Sequence, residues 1–595
     1  MMSGRADERY ARALLALWII YAVLAVVMAW PDILWLDMAD TDDAMRLVQV
    51  RDWLAGQGWR DVTQYRMMPP SGVEIHWSRV VDLPLAAMIW GLSALLGHEI
   101  ATQVAVVLVP LVTLLLIMLL AAKTARSVVA HSSLDPGAAA ARFAGLFVLL
   151  SPAIIGIVRP MRIDHHGWQA ALFMATLFVV LRTRSGPRDG ILAALTIAIS
   201  LAIGLETLPF LVLLLAASML RWISMGAGAG MLQGLGAGLA VLVPLATGTF
   251  AVSAAGIAVC DALSVPYAVL FAVSGAGMAL AATFAVRQGP GVRAAFAILV
   301  GALGYAAFLM YAPQCPLGPI SGVDPRLAPW LASIGEARPF LEAVQTAPAP
   351  ATMNLLPPLF GALAAIYLYI RRTMMPFAAL ALGGLNAAAF LMVLFVQVRV
   401  GALGAALSVV PLAIVAALWM PRVRASDRLT VRVLGTAGLL VGLTGIGAFG
   451  IGSAIAATRS LPSSGEAVSA YCQSGATLRP LNALPPSVIA APMNVAPRLL
   501  MQTHHATTTG PYHRNADAIL AMSDLWRVST AKAHEILASA EAEHVLFCSG
   551  DAELQPAVRD ATSFAGELQN GDTPDWLRPV ELDGFPLDVV YEIKR

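Results

Sequence analysis

The sequence predicts an α-helical, polytopic membrane protein with a C-terminal α/β domain, and three observations support this prediction. Of the 595 residues, 58% are hydrophobic and only 13% are charged, whereas soluble domains contain roughly 25% charged residues. Apolar runs long enough to cross a bilayer recur along the chain up to residue 456. Beyond that residue the pattern changes to short strand-like and helix-like pieces. A soluble fold is therefore excluded for most of the chain.

Each apolar run that approaches the length of a membrane span predicts one transmembrane helix. The runs amount to about thirteen spans, at 12–30, 100–121, 143–158, 167–183, 190–205, 207–221, 232–252, 266–286, 294–311, 352–370, 375–397, 401–419 and 433–456. The run 83–96 is shorter and follows a polar stretch, so it either spans the membrane or lies in the interface. The first run contains no small-residue cleavage site, which predicts a retained anchor rather than a signal peptide.

The positions of basic residues favour the interfacial placement of 83–96. With it, every basic loop falls on the side of residue 1, as the positive-inside rule requires of the cytoplasm. These loops contain Lys123, Arg126, Arg142, Arg182, Arg184, Arg188, Arg221, Arg287, Arg293, Arg371, Arg372, Arg422, Arg424, Arg428 and Arg432. The sequence thus predicts a multi-pass protein of the bacterial inner membrane. The loops 31–99, 159–166, 253–265 and 312–351 and the C-terminal domain are then periplasmic.

We place the domain boundary where the apolar runs end, with a transmembrane domain at 1–456 and a soluble α/β domain at 457–595. The strand-like pieces of the second domain are 487–491, 544–547 and 587–593, and its helix-like pieces are 517–525 and 530–540. The Gly- and Ala-rich stretch 226–240 is more typical of close helix packing than of a linker.

All four cysteines fall on the predicted periplasmic side, where disulfides persist. Cys260 and Cys315 lie in separate loops, and Cys472 and Cys548 lie in the C-terminal domain. Two bonds, Cys260–Cys315 and Cys472–Cys548, are therefore expected, and unpaired thiols are the alternative.

Charged side chains also cluster in four short segments at membrane level on the same side. Charges at this depth are energetically costly, so their presence requires an explanation. The segments are Asp40-Thr41-Asp42-Asp43 with Arg46, Arg159 to His166, Ser333 to Pro339, and Gln397-Val398-Arg399. Each of these segments, taken alone, is most simply explained as a solvated loop. Together they offer carboxylates and imidazoles for a divalent cation such as Mg²⁺ or Mn²⁺. A cation beside an arginine is what a phosphate leaving group requires.

These four segments resemble, in order, the motifs of oligosaccharyltransferase catalytic subunits, which are membrane glycosyltransferases of the GT-C superfamily. The stretch from Thr41 to Gly56 is similar to their first-loop motif, and Asp164-His165-His166 to the Asp-x-His form of their second-loop motif. Ser333-Ile334-Gly335-Glu336 is similar to their fifth-loop motif, and Arg399 stands where they keep an arginine. The resemblance covers about residues 10–456 and implies a GT-C fold.

The resemblance also implies roles for individual residues. Asp42, Asp164 and His166 would bind the metal, and Glu336 would lie at the metal and the acceptor. Arg399 would contact the phosphate of the donor. Asp43 is the candidate general base or a partner of the ligands, and the weaker candidates for phosphate contact are Arg46, Arg162 and Arg338. For these three arginines, pairing with neighbouring acids or lipid headgroups is the alternative.

The implied reaction moves a sugar from a polyprenyl-linked phosphate donor to an acceptor. The C-terminal domain has no Trp-Trp-Asp motif, the element with which that family reads its protein acceptor. The acceptor therefore stays open as a glycan, a lipid or a protein. A net charge of +1 does not suggest a nucleic-acid partner.

Two other functions remain as alternatives. A transporter or lipid flippase would need charges inside its spans, but apart from Glu206 near a helix end the predicted spans are nearly free of acids. The C-terminal domain could instead bind a ligand through a group of polar residues. The same residues could also stabilise a loop or contact the acceptor. That group comprises His504, His505, Tyr512, His513, Arg514 and Asn515.

Overall fold

The computed structural model describes residues 2–130, 137–182, 185–251, 258–459, 472–551, 553–582 and 590–594. Parts of four sequence predictions lie outside these residues. They are Arg184, the beginning of the loop 253–265, the beginning of the C-terminal domain at 460–471, and the beginning of the strand-like piece 587–593.

Nine helices within the described residues are long and apolar enough to cross a membrane. They are Tyr10–Met28, His98–Val128, Leu208–Met225, Ala229–Phe250, Val265–Phe284, Pro290–Tyr311, Pro348–Ile370, Pro376–Phe395 and Val398–Arg424. Leu429–Gly442 and Gly445–Arg459 make a tenth if they form one span bent by 86°. The multi-pass helical fold is thus confirmed, whereas the number thirteen stays a prediction.

The other helices are shorter. Apolar ones are Asp82–Leu96, Gly137–Leu149 and His166–Leu181, and Pro187–Ile203 is similar in length. The predicted span 143–158 is interrupted, because Gly137–Leu149 ends before Ser151 and Pro152–Gly156 begins a new helix. Proline lacks the N–H that would continue the first helix. Short helices outside the bundle are Trp30–Trp35, Thr41–Leu54, Ala328–Ser333 and Phe340–Thr346.

Small residues let the membrane helices approach closely. A Cβ added to Gly236 would lie 2.5 Å from the carbonyl oxygen of Gly275, in the neighbouring helix, and one added to Gly234 would meet the carbonyl of Pro187. The Gly- and Ala-rich stretch is therefore a packing surface. Val398–Arg424 is the most enclosed of the nine spans, with 83% of its apolar window buried.

The C-terminal residues form a five-stranded mixed sheet with flanking helices, which confirms the predicted α/β domain. The strands are β3 (Val488–Ala490), β4 (Ala506–Thr507), β5 (His544–Leu546), β6 (Leu577–Pro579) and β7 (Val590–Ile593), in the order β4-β3-β5-β7-β6. β3 is parallel to β4 and β5, whereas β7 is antiparallel to β5 and β6. The helices include Ala496–Gln502, Ala516–Leu525, Thr530–Ser539 and Phe564–Gln569.

This domain packs on the loop between the first membrane helix and His98. A two-stranded hairpin in the loop, β1 (Thr63–Gln64) and β2 (Val73–Glu74), lies against β4, and Met67 makes a β-bridge with Thr507. Arg66 donates to the carbonyl oxygens of Leu500 and Thr503 at 2.8 Å each. Backbone acceptors at helix and strand ends are thereby satisfied by a cation.

Two disulfides lie at this same end of the bundle. Cys260 and Cys315 are bonded with their Cα atoms 5.2 Å apart, and both are buried. Cys472 and Cys548 are bonded within the C-terminal domain, with their Cα atoms 6.2 Å apart. The first bond fixes the beginning of the Val265–Phe284 helix to the end of Pro290–Tyr311.

Candidate functional site

The first carboxylates of the site stand at the start of the helix Thr41–Leu54. Asp40 is the N-cap, and its side chain accepts a hydrogen bond from the backbone N–H of Asp42 at 3.3 Å. Asp42 and Asp43 occupy the first turn. Unpaired N–H groups and the helix dipole favour negative charge at this end. Local sequence therefore places three acids at one point of the loop.

Asp43 connects this helix to the segment that carries Asp164. One oxygen of Asp43 accepts from the N–H groups of Ile163 and Asp164, at 2.8 and 2.9 Å. The other accepts from Arg162 at 2.9 Å, and the same guanidinium nitrogen lies 2.9 Å from Asp40. Asp43 is completely buried, and burial raises the pKa of its carboxyl to about 7. Its contacts are those of a residue that positions the loop.

Asp164, His165 and His166 form a compact cluster at the start of the helix His166–Leu181. One ligand atom from each lies within 4.8 Å of the others. His166 Nε2 is 3.3 Å from Asp164 Oδ2, and His165 Nδ1 pairs with the other oxygen of Asp164. Carboxylate and imidazole atoms this close can hold a divalent cation.

Glu206 completes the cluster from the neighbouring turn between Pro187–Ile203 and Leu208–Met225. Its carboxylate lies 2.9 Å from His166 Nδ1 and 3.4 Å from His165 Nε2. A carboxylate on the far nitrogen of a metal-binding histidine fixes its tautomer and its ring orientation. Glu206 is therefore placed to orient His166 toward Asp164.

Arg399 and Glu336 close the opposite side of the cluster. Arg399 Nη1 is 3.3 Å from Glu206 Oε1, and its Nη2 pairs with Glu336. The N–H of Val398 donates to the carbonyl oxygen of Arg338 at 2.9 Å, which ties the segment of Glu336 to the segment of Arg399. The structure thus brings the four predicted segments to one place.

The electrostatics of the cluster favour a cation. Burial and the neighbouring carboxylates of Asp164, Asp40 and Glu336 raise the pKa of Asp42 well above its usual value. Burial alone would lower the pKa of His165, but the carboxylates of Asp164 and Glu206 raise it to about 10. Protonated His165 thus neutralises part of this negative charge. A divalent cation fits the same donor set.

A cavity of about 400 Å³ opens beside the cluster. Its polar lining comprises Arg162, His166, Gln169, Glu206, Glu336, Asn354, Gln397 and Arg399. Its apolar lining includes Ile157, Phe210, Ala343 and Leu403. The buried Nε atoms of Arg162 and Arg399 have no hydrogen-bond partner within the described residues. The cavity therefore combines two guanidinium groups, those of Arg162 and Arg399, with an apolar wall, which suits an anionic headgroup on an apolar chain.

Two of the predicted phosphate-contact arginines lie elsewhere. Arg46 is buried behind the cluster, 3.1 Å from Asp82 and 3.7 Å from Asp164, with its guanidinium 4.6 Å from the ring centre of Trp77. Arg338 donates to the carbonyl oxygen of Ala332 at 2.9 Å and braces its own loop. Neither is among the residues that line the cavity.

The polar residues predicted to act together in the C-terminal domain lie in different places. His505 is buried between Ser487 and the carbonyl of Leu481, 2.8 Å from its Nε2, and His504 contacts the carbonyl of Leu484 at 2.9 Å. These two histidines support loop structure, which was one of the alternatives. Tyr512 instead reaches the site, with its hydroxyl 3.4 Å from the carbonyl oxygen of Thr41.

Sequence reasoning missed Glu206, His165 and Asp40 as members of the site. Glu206 appeared only as an exception to otherwise acid-free spans. A lone carboxylate between two apolar runs was the available signal, because its burial without partners would be costly. His165 was passed over as the variable position of the Asp-x-His motif.

The fold is similar to that of known membrane glycosyltransferases. No protein-family model and no curated protein matches the chain. Among solved structures, it is similar to the archaeal oligosaccharyltransferase AglB from Archaeoglobus fulgidus in complex with an inhibitory peptide and a dolichol-phosphate. The TM-score is 0.60 at 15% identity, over 91% of this chain and 72% of that chain.

Two further structures show the range of this likeness. The Archaeoglobus fulgidus oligosaccharyltransferase in complex with Zn and sulfate aligns with a TM-score of 0.57 at 15% identity, over 91% of this chain and 70% of that chain. ArnT from Cupriavidus metallidurans bound to undecaprenyl phosphate gives a TM-score of 0.39 at 12% identity, over 97% of each chain, too weak to support an inference. The chain therefore shares the fold of these archaeal oligosaccharyltransferases, which is the fold that its motifs implied.

Proposed function

We propose that the protein is a membrane glycosyltransferase that moves a sugar or oligosaccharide from a polyprenyl-(pyro)phosphate donor to an acceptor. The observation that carries this proposal is the shared wall of the cavity, where His166 and Glu206 of the carboxylate–imidazole cluster stand beside Arg399 and Arg162. Cationic donors and a cation-binding cluster on one cavity match a phosphate leaving group. The likeness of the fold to that of membrane glycosyltransferases supports this reaction class by analogy.

The residues take distinct parts in this reaction. Asp42, Asp164 and His166 would hold a divalent cation, Mg²⁺ or Mn²⁺, and Glu336 would lie near it. Such a cation would neutralise the phosphate oxygens as the sugar–oxygen bond breaks. Arg399 and Arg162 bind the phosphate through guanidinium N–H donors. Asp43 and Glu206 position the ligands through the contacts described above.

The neighbours' own ligands are consistent with this assignment. The solved AglB structures contain a dolichol-phosphate in one case, and Zn and sulfate in another. A divalent metal and a lipid phosphate are the two components that we assign to this site, and sulfate is an anion similar to phosphate. Because the Trp-Trp-Asp motif is absent, the acceptor is proposed only as a glycan, a lipid or a protein.

A combined measurement distinguishes transfer from lipid flipping. In a deletion strain, mass spectrometry of lipid-linked intermediates and surface glycans should show an accumulated donor on the outer leaflet and a missing glycan. Purified protein should then consume that donor in the presence of Mn²⁺. Accumulation on the inner leaflet, with no consumption by purified protein, would support a flippase and refute the proposal.

The proposed location of the reaction is the periplasmic face of the bacterial inner membrane. Reporter fusions at Gly137 and Ser426 should report the cytoplasm, because the basic loops lie near them. Fusions at Pro319 and at Gly465, the latter outside the described residues, should report the periplasm. A periplasmic signal from Gly137 would mean that Asp82–Leu96 spans the membrane and that the orientation is wrong.

Metal binding should strengthen as the pH rises. His165 has a raised pKa of about 10, so it is protonated at neutral pH, and a cation that takes the Asp164 carboxylate displaces that proton. One displaced proton raises the apparent affinity about tenfold per pH unit. Titration of Mn²⁺ into purified protein at pH 6, 7 and 8 measures this slope. An affinity that does not change with pH would contradict proton displacement from His165.

A further inference from the structure

A second cluster of metal-ligating side chains lies outside the proposed active site. It joins three distant parts of the chain, with His76 in the loop 31–99, Asp261 beside Cys260, and His513 in the C-terminal domain. His513 Nε2 is 2.8 Å from Asp261 Oδ2, and the ring centres of His76 and His513 are 4.7 Å apart. One ligand atom from each of the three residues lies within 4.8 Å of the others.

The carboxylate of this cluster is held in place from several directions. Arg514 donates to both oxygens of Asp261, at 3.2 Å from its Nε and 3.0 Å from its Nη2. The third nitrogen of Arg514 lies 3.3 Å from Glu74. Ligating carboxylates in metal sites typically accept such additional hydrogen bonds. The guanidinium therefore orients Asp261 and leaves Glu74 to balance its charge.

The backbone around Asp261 is equally constrained. Cys260 is bonded to Cys315, and its carbonyl oxygen accepts from the hydroxyl of Tyr267 at 2.8 Å. Ligands on a rigid frame keep their geometry without the cation, so little order is lost when it binds.

One polar atom in the cluster is unsatisfied. His76 Nδ1 is buried and has no hydrogen-bond partner in the part of the chain that the structure describes. Buried polar atoms are nearly always paired, and a bound ion is one of the recognised reasons for an exception. Glu74, Asp261 and Arg514 carry a combined charge of −1 at neutral pH, so the surroundings also favour a cation.

We propose that His76, Asp261 and His513 bind a transition-metal dication, for which Zn²⁺ is the best-suited ion. Two imidazoles and one carboxylate are a ligand set typical of Zn²⁺ and related metals, with positions left for water. Hard cations such as Mg²⁺ prefer all-oxygen sites. The site is separate from the active site, because Trp77 stands between the clusters, 5.5 Å from His76 and 6.2 Å from His165 by ring centres.

The bound metal would fasten the C-terminal domain beside the catalytic carboxylates. Tyr512 precedes His513, packs edge-on against Trp77 at 5.5 Å and bonds the carbonyl oxygen of Thr41. Thr41 is adjacent to Asp42. Loss of the metal should therefore loosen the contact between the C-terminal domain and the start of the helix that carries Asp42.

The test counts metal in full-length protein purified in detergent. After chelator treatment and reloading with Zn²⁺, mass spectrometry should find one equivalent less in His513→Gln and in His76→Gln than in the wild type. The exposed His98→Gln is the matched control and should keep the wild-type content. Equal metal content in all four proteins would overturn the proposal.

The Asp164→Asn background separates this site from the active site. Asp164→Asn protein should retain one Zn²⁺ that the added His513→Gln change removes. Co²⁺ in that retained site should give an X-ray absorption spectrum with two imidazole ligands, a readout that needs no destabilising variant of the cluster. Absence of bound metal, or a spectrum without imidazole, would refute the second site, and neither result depends on whether the protein transfers sugar.

Discussion

Asp164→Asn is expected to lower the transfer rate at least about 100-fold, the scale of losing a group that stabilises charge in a transition state. The carboxylate of Asp164 contacts both histidines of the cluster, and its backbone N–H donates to Asp43. Asparagine preserves its shape but removes the charge that a divalent cation needs. Asp42→Asn should have a comparable effect. Transfer of a labelled polyprenyl-linked sugar by purified protein measures both.

A matched control is available at a distant pair. Asp189 accepts from Arg182 at 2.8 Å in the first turn of the helix Pro187–Ile203, and it does not line the cavity, so Asp189→Asn should leave the transfer rate unchanged. Expression and membrane insertion of all three variants should match the wild type, because asparagine keeps the size of the aspartate that it replaces. Full activity of Asp164→Asn, or an unchanged wild-type rate in excess chelator, would refute the metal-dependent mechanism.

Glu206→Gln is expected to reduce metal affinity and transfer 10- to 100-fold, the range typical of carboxylates that orient metal-binding histidines. Glu206 lies 2.9 Å from His166 Nδ1 and 3.3 Å from Arg399 Nη1. Glutamine keeps the size of the side chain but removes the charge that holds both partners. Titration of Mn²⁺ and the transfer assay measure the two losses separately.

The exposed Glu342→Gln, in the neighbouring helix Phe340–Thr346, is the control for this change and should behave as wild type. A positioning role predicts that added Mn²⁺ partly restores the rate of Glu206→Gln. A rate that stays low at saturating Mn²⁺, with unchanged metal affinity, would show that Glu206 does not act through His166.

Much of the fold was readable from the sequence because it depends on local patterns. Long apolar runs predicted membrane helices such as Ala229–Phe250, and a short apolar run predicted strand β5. Helix boundaries were harder to predict from the sequence than the helices themselves. The interruption at Pro152 depends on one proline inside a continuous apolar run, so hydropathy alone treated 143–158 as one span.

The candidate site was readable only in part. Asp42, Asp164, Glu336 and Arg399 stand in short charged segments that apolar surroundings make conspicuous, and the structure brings them together. Arg46, a weaker candidate for phosphate contact, is instead buried beside Asp82, which is the pairing with a neighbouring acid that the sequence left as the alternative. Whether an arginine faces a cavity or an acid depends on which helices pack beside it, and sequence spacing does not contain that information.

The membrane class, the α/β C-terminal domain and the charged segments of the candidate site could be predicted from the sequence, since each follows from composition or from neighbours in the chain. Three contacts could be seen only in the folded structure: Asp43 anchors the loop of Asp164, Glu206 joins His166 to Arg399, and His76, Asp261 and His513 meet. These contacts join segments that are far apart in sequence. Their geometry is set by the packing of the bundle and the docking of the C-terminal domain, which act through space rather than along the chain.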